Sequence, residues 1–250
     1  MHLPTVHCYA DVTQLYVSFS PNISTGQFEA VTAIHHCVDD IRNWMTNDKL
    51  FLNDDKTEFL MIGTKQQLVK VNIDHILIGD CVIRPKGVVK NLGTWLDSTL
   101  SVNYHVNKTC SNAFYYLYNI RRVRKYIFRQ STETLIHAFV SSRVDYCHSL
   151  LYGLPAYQLN KLQRVQNALA TLILQESKYC LLRPLLYNLQ RLPVKFRIDF
   201  KILLTFKGCQ WLSAFYLQEL INLKEACKYK LRSDCDGLRL NPVKFKTLTT

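Results

Sequence analysis

The sequence contains few glycine and proline residues and no long uncharged apolar run. Eight glycines and seven prolines in 250 residues exclude collagen-like and low-complexity chains, and a hydrophobic fraction of 48% is enough to bury a core. Because a membrane-spanning helix needs about 20 consecutive apolar residues, we expect no transmembrane segment. Residues 1–11 lack a basic segment followed by an apolar one, so we expect an intracellular protein of the nucleus or cytoplasm that is not secreted.

The nine cysteines lack the close spacing of a zinc site. No two of them form a C-x2-4-C pair, and the eight histidines do not complete a zinc pattern with them. In an intracellular protein we therefore expect reduced cysteines that act as small apolar side chains.

Acidic residues are scarce relative to basic ones. The chain has 19 Asp and Glu against 31 Lys and Arg, a net charge of +12, which favours a polyanionic partner. Aromatic residues are interleaved with the densest group of cations, a pattern typical of surfaces that follow a phosphate backbone. They are Tyr116, Tyr118, Tyr126 and Phe128. A solvated, non-binding surface is the alternative interpretation. The predicted nucleic-acid-binding residues, called the basic cluster below, are Arg121, Arg122, Arg124, Lys125 and Arg129.

Apolar periodicity predicts an α+β fold in which strands and a helix precede a helical region, with a boundary near residue 100. Alternating apolar residues predict strands, and Gly79 predicts the turn of a hairpin over 75–83. The predicted strands cover Thr13–Phe19, 57–62 and 88–96, and Gly93 interrupts the last of them. Apolar residues spaced by three and four predict helices over 31–45, 135–147, 159–173, 196–207 and 215–224.

Residues 7–16, H-C-Y-A-D-V-T-Q-L-Y, resemble the Y-A-D-D-T-Q-L-Y turn of reverse transcriptases from LINE-type (non-LTR) retrotransposons. In that family the turn is the tip of a hairpin, and its two adjacent aspartates help to bind two Mg2+ ions during nucleotide transfer. The resemblance implies that Asp11 is the remaining catalytic and metal-binding carboxylate. It also implies Mg2+ as cofactor and a deoxynucleoside triphosphate as the family's small substrate.

Further segments resemble the family in the same order along the chain. Residues 52–58, L-N-D-D-K-T-E, resemble motif D and imply that Lys56 is the lysine near the departing pyrophosphate. Residues 91–97, N-L-G-T-W-L-D, resemble the primer-grip hairpin. Segments similar to the family's thumb follow at 119–126, 142–147, 151–155, 162–168 and 192–194.

The resemblance implies the C-terminal part of a polymerase palm, made of short antiparallel strands plus a helix, followed by a helical thumb and connection. The palm part, with motifs C, D and E, would occupy 1–100, the thumb-like helices 101–176 and the helical connection 177–250. An RNA template and a DNA primer are the partners implied, and a membrane is not.

Val12 departs from the family because it occupies the position of the second aspartate. One carboxylate cannot hold two closely spaced divalent cations against their mutual repulsion. Only ten residues precede Asp11, so the fingers and upstream palm motifs have no room. We therefore expect a truncated, degenerate RNA-directed DNA polymerase fragment that is inactive and retains Asp11 and Lys56 as relics. The alternatives are a non-catalytic basic module that binds nucleic acid or protein, and a reading frame without function.

Overall fold

In the part of the chain that the structure describes, three short β-hairpins, with one long helix among them, precede a group of packed helices. A computed structural model describes residues 5–79, 81–177 and 179–211. The predicted mixed α+β class is confirmed, since short antiparallel strand pairs precede a helical region that starts at Asn103. The helix predicted over 215–224 lies outside the described residues. Within the described ranges, no helix is both long and apolar enough to cross a membrane.

Among the described residues, each strand pairs only with its neighbour in sequence, in an antiparallel hairpin. Gly79 lies in the second turn with a φ of +60°, as its position in the sequence predicts. The strands are β1 (Thr5–Tyr9) with β2 (Val12–Tyr16), β3 (Ile76–Ile78) with β4 (Cys81–Ile83), and β5 (Val88–Asn91) with β6 (Thr94–Asp97).

One predicted strand is wrong, and another is divided by a turn at Gly93, where the sequence predicts an interruption. Residues 57–62 form no strand, and Phe59 makes only an isolated bridge to Pro85. Residues 88–96 are not one strand, because Leu92 and Gly93 adopt φ angles of 44° and 85° and reverse the chain between β5 and β6. Two consecutive left-handed residues make a tight turn whose twist suits a hairpin.

The first hundred residues build a small core around one long helix. Helix α1 (Ser24–Asn47) extends beyond the predicted 31–45 and packs Val38 against apolar residues of the β3–β4 hairpin. A 3-10 turn (Asp54–Lys56) and the short α2 (Lys65–Leu68) connect α1 to that hairpin. The residues buried in this core are Val38, Ile76, Ile78 and Ile83.

The helical region has a larger core. It is formed mainly between α3 (Asn103–Val123), α4 (Arg129–Ile136), α6 (Ala156–Leu174) and α8 (Val194–Trp211). Cys110 of α3 lies inside it as a small apolar residue, and burial raises the pKa of its thiol to about 11. The elements in order are α3 (Asn103–Val123), a 3-10 turn (Arg124–Tyr126), α4 (Arg129–Ile136), a π-helical turn (His137–Ser141), α5 (Ser142–Val144), a 3-10 turn (His148–Leu151), α6 (Ala156–Leu174), α7 (Leu182–Asn188) and α8 (Val194–Trp211).

The turn of the β5–β6 hairpin contacts both the first hairpin and the helical region. The Gln14 side chain of β2 donates a hydrogen bond to the Asn91 side chain at 2.8 Å. On the other side, the Tyr146 hydroxyl donates to the Leu92 carbonyl, and its ring approaches Gly93. The β5–β6 hairpin therefore connects the β1–β2 hairpin, which carries Asp11, to the helical region.

Candidate nucleic-acid interface

Asp11 lies at the exposed turn of the β1–β2 hairpin. Tyr9 and Val12 face each other as the last strand pair, so Ala10 and Asp11 form the two-residue turn. Ala10 has a φ of 51°, the left-handed conformation that a tight hairpin turn requires. The carboxylate of Asp11 therefore projects from the tip of a hairpin, while Val12 is part of β2.

Lys56 lies on a separate exposed turn. It is the last residue of the 3-10 turn after α1, and the Asn53 side chain caps this turn by accepting from the Lys56 backbone N–H. Arg42 of α1 fixes the turn through an ion pair of 2.8 Å between its Nη2 and Asp54 Oδ1. The turn is thus held against α1, and Lys56 is exposed to solvent.

The described residues do not fit a pair of bound Mg2+ ions. Across 5–79, 81–177 and 179–211, no three His, Cys, Asp or Glu side chains come together as a metal site. Asp11 is the single carboxylate of its turn, and the neighbouring Val12 offers no oxygen ligand from its side chain. Two-metal phosphoryl transfer needs carboxylate oxygens that bridge and separate the cations. No catalytic step through Mg2+ follows from this arrangement.

The basic cluster surrounds the junction between α3 and α4. Arg121 and Arg122 are exposed in the last turn of α3, and Lys125 is exposed in the 3-10 turn that follows. The Lys125 ammonium lies 4.7 Å from the centre of the Tyr126 ring, a cation–π contact. Arg129 begins α4, and its Nε lies 2.8 Å from Oε1 of Glu133.

Arg124 differs from the other residues of the basic cluster because its guanidinium forms hydrogen bonds with backbone carbonyls of the fold. It donates to the carbonyls of Leu172 at 3.2 Å and Ile173 at 2.9 Å, at the C-terminal end of α6. It also donates to the Ile127 carbonyl at 3.0 Å, within its own junction. The last carbonyls of a helix have no partner within the helix, so Arg124 satisfies two of them and joins the junction to α6.

Tyr116 differs from the other aromatic residues that are interleaved with the basic cluster. Tyr116 packs against the helical core, with its ring stacked on Phe139 at 5.4 Å between ring centres. Tyr115 is exposed instead, together with Tyr118. The helical spacing of the sequence could have identified Tyr115 as exposed. Residues 106, 110, 113, 117 and 120 define the buried face of α3, and Tyr115 lies opposite it.

Comparisons of the chain with protein-family models, with curated proteins and with solved structures find no match. The resemblance to reverse transcriptases therefore depends on the motifs of this sequence.

Proposed function

We propose that the chain is a reverse-transcriptase-derived fragment that has lost polymerase activity and binds nucleic acid through the exposed cations of the basic cluster. The order of the motif-like segments supports the ancestry, together with a hairpin that carries Asp11 at its turn. The contact between Gln14 and Asn91 adds support, because it brings the segment that resembles the primer grip beside that hairpin. RNA and DNA are the partners proposed.

The observation that carries the binding function is the exposed set of cations at the α3–α4 junction. Arg121, Arg122 and Lys125 are all exposed, and neither Arg121 nor Arg122 has an acidic neighbour in the last turn of α3. Lysine and arginine side chains on a chain of net charge +12 attract a phosphate backbone and release its counterions on binding. Aromatic side chains at the same junction supply surfaces on which bases can stack.

The proposed loss of polymerase activity depends on the Asp11 turn. The purified chain should incorporate no nucleotide into a primer on an RNA template with Mg2+ or Mn2+, since a single carboxylate cannot hold two cations. Primer extension above a buffer control that disappears in Asp11→Ala would contradict this proposal. Extension that persists in Asp11→Ala would indicate a contaminating polymerase.

The binding function is tested by the salt dependence of affinity. Arg121→Ala, Arg122→Ala and Lys125→Ala should be combined in one variant, and Arg124 should be left intact because it supports the fold. Each lost phosphate contact should reduce the slope of log K against log salt by about 0.7 to 0.9, so the slope should fall by about 2 to 3.

A matched control removes three exposed cations from elsewhere. The variant Lys65→Ala, Arg84→Ala, Lys195→Ala has the same net charge as the test variant, and all three positions are exposed. Its slope should stay close to that of the wild-type chain. Equal slopes for the two variants would mean that the junction is a solvated surface and would overturn the binding proposal.

A further inference from the structure

Four exposed aromatic side chains lie on the outer face of α3 and at its junction with α4. Their exposed fractions are 63% for Tyr115, 63% for Tyr118, 76% for Tyr126 and 86% for Phe128. An aromatic ring left in water forgoes the stabilisation that burial would provide, so these rings contribute little to the fold. Exposed apolar side chains gathered in one region of a protein are typical of an interaction site.

Two of the aromatic residues and one of the arginines lie on the same face of α3. Tyr115, Tyr118 and Arg122 are spaced by three and four residues, which places them on the same face of α3. This face is opposite the buried stripe that includes Ala113 and Leu117. The aromatic–basic surface is defined as Arg121, Arg122 and Lys125 together with Tyr115, Tyr118, Tyr126 and Phe128.

Arg124 holds the junction part of this surface in place. Its hydrogen bonds reach the carbonyls of Leu172 and Ile173 in α6, and a further bond reaches Ile127 between the two junction aromatics. Tyr126 and Phe128 are therefore exposed on a segment whose backbone is fixed. A ring that is already positioned loses less conformational entropy when a ligand stacks on it.

We propose that the aromatic–basic surface binds single-stranded nucleic acid in preference to duplex. This inference rests on the proposed function, and it names the form of nucleic acid that the same site takes. In a duplex the faces of the bases are covered by neighbouring bases, so the rings of Tyr126 and Phe128 have nothing to stack on. A single strand offers both its base faces to the aromatic rings and its phosphates to Arg121, Arg122 and Lys125.

The test compares a short fluorescent oligothymidylate and oligouridylate with a hairpin duplex of the same charge, titrated with the full chain at one salt concentration. The wild-type chain should bind the single strands at least tenfold more tightly than the duplex. Tyr126→Leu and Phe128→Leu together should weaken single-strand binding by about tenfold or more, since each base stacked on an aromatic ring contributes substantially to affinity.

Two control variants separate stacking from changes in folding or charge. Tyr126→Phe combined with Phe128→Tyr keeps both rings at the tested positions and should restore most of the single-strand affinity that the double leucine variant loses. Tyr187→Leu removes a ring that is 87% exposed on α7, away from the junction sequence, and should also bind normally. Duplex affinity should change less than twofold in every one of these variants.

The outcomes distinguish this inference from the proposed function. Suppose the variant that combines Arg121→Ala, Arg122→Ala and Lys125→Ala weakens binding of both single strands and duplex. Suppose also that the double leucine variant at 126 and 128 changes neither affinity. The surface then binds phosphates alone, which overturns the inference and leaves the proposed function standing. Equal affinity for single strands and duplex, or an equal loss for both in the leucine variants, also overturns the inference. Absence of binding to either form overturns both.

Discussion

Arg124 shows how one residue of the basic cluster acquires a structural role. Arg121 and Arg122 precede it by three and two residues and are exposed, whereas Arg124 is half-buried and donates to three backbone carbonyls. Hydrogen bonds from a charged donor contribute more than neutral ones, and a carbonyl that loses its donor remains desolvated. The stability of the junction should therefore depend on Arg124 and hardly at all on its neighbours.

We expect Arg124→Ala to lower the free energy of unfolding by about 1 to 3 kcal/mol, because carbonyls at the end of α6 lose their donor. Arg122→Ala, which removes an exposed cation, should change it by no more than about 0.5 kcal/mol. Urea unfolding followed by circular dichroism measures both. Equal effects of the two substitutions would show that the hydrogen bonds of Arg124 do not support the fold.

His148 is the buried residue that should make stability depend on pH. Its side chain is fully buried, with its Nε2 3.5 Å from Asp145 Oδ1. Burial lowers the pKa of His148 from 6.5 to about 4, and the positive charges of Lys201 and Arg197 act in the same direction, while Asp145 opposes them. Arg197 also forms an ion pair with Asp145, so the carboxylate is shared.

The sign of the pH effect follows from a folded-state pKa below the unfolded one. His148 takes up a proton near pH 6.5 in the unfolded chain and only near pH 4 in the folded chain. Its contribution to the free energy of unfolding is therefore fully present above pH 6.5 and is lost as the pH falls towards 4. The loss should reach about 3 kcal/mol. Urea midpoints measured from pH 7 to 4 should fall less steeply in His148→Gln, and an unchanged slope would contradict the assignment.

At the scale of an element, the β5–β6 turn is constrained both by its backbone and by a contact. Gly93 has a φ of +85°, and a Cβ at this position would lie 3.2 Å from Cε1 of Tyr146. Two other glycines separate these constraints. Gly153 has a φ of +75° but no atom within 4 Å of a Cβ, and Gly87 has neither a positive φ nor a near contact.

Alanine substitution at these three glycines should give a graded result. Gly87→Ala should change the free energy of unfolding by about 0.5 kcal/mol or less. Gly153→Ala should cost about 1 to 2 kcal/mol, the cost of a left-handed residue with a Cβ. Gly93→Ala should cost more than Gly153→Ala, because the Tyr146 ring must also move. Chemical denaturation measures the free energies of unfolding of the three variants and so gives their order. Equal losses of stability at 93 and 153 would mean that the Tyr146 ring moves away from the added Cβ without an energetic cost.

At the scale of the whole molecule, the N-terminal hairpin and the helical region differ in burial. Strand β1 is exposed along its whole length, and β2 pairs only with β1 among the described residues. A two-stranded hairpin without an apolar face to bury is marginally stable in water. Helix α6, in contrast, buries eight residues between its neighbours.

Hydrogen exchange of the full chain should therefore be uneven. Amides of β1 and β2 should exchange early, because local opening of this hairpin exposes little apolar surface, and amides in the middle of α3 and α6 should exchange only with global unfolding. Mass spectrometry of peptides covering 5–16 and 156–174 measures the difference. Equal protection in the two peptides would show that the Asp11 hairpin is held by more than the contacts of Gln14 and Leu15.

The amino-acid sequence by itself determined the features that depend on neighbouring residues. Alternating apolar residues located β2, spacing by three and four located the cores of α1, α6 and α8, and Gly79 located the β3–β4 turn. These predictions succeeded because strand and helix periods, and the positive φ of a turn, are properties of a short segment. The density of cations near residue 121 could likewise be found without a structure.

Only the tertiary structure decided which of several similar residues face solvent and which are used inside the fold. Tyr115 and Tyr116 are adjacent in α3, yet Tyr116 stacks on Phe139 while Tyr115 is exposed. Arg124 is separated from Arg122 by one residue, yet its partners lie 48 and 49 residues away in α6. Burial and hydrogen bonding depend on segments that folding brings together from distant parts of the chain, and local patterns carry no information about those partners.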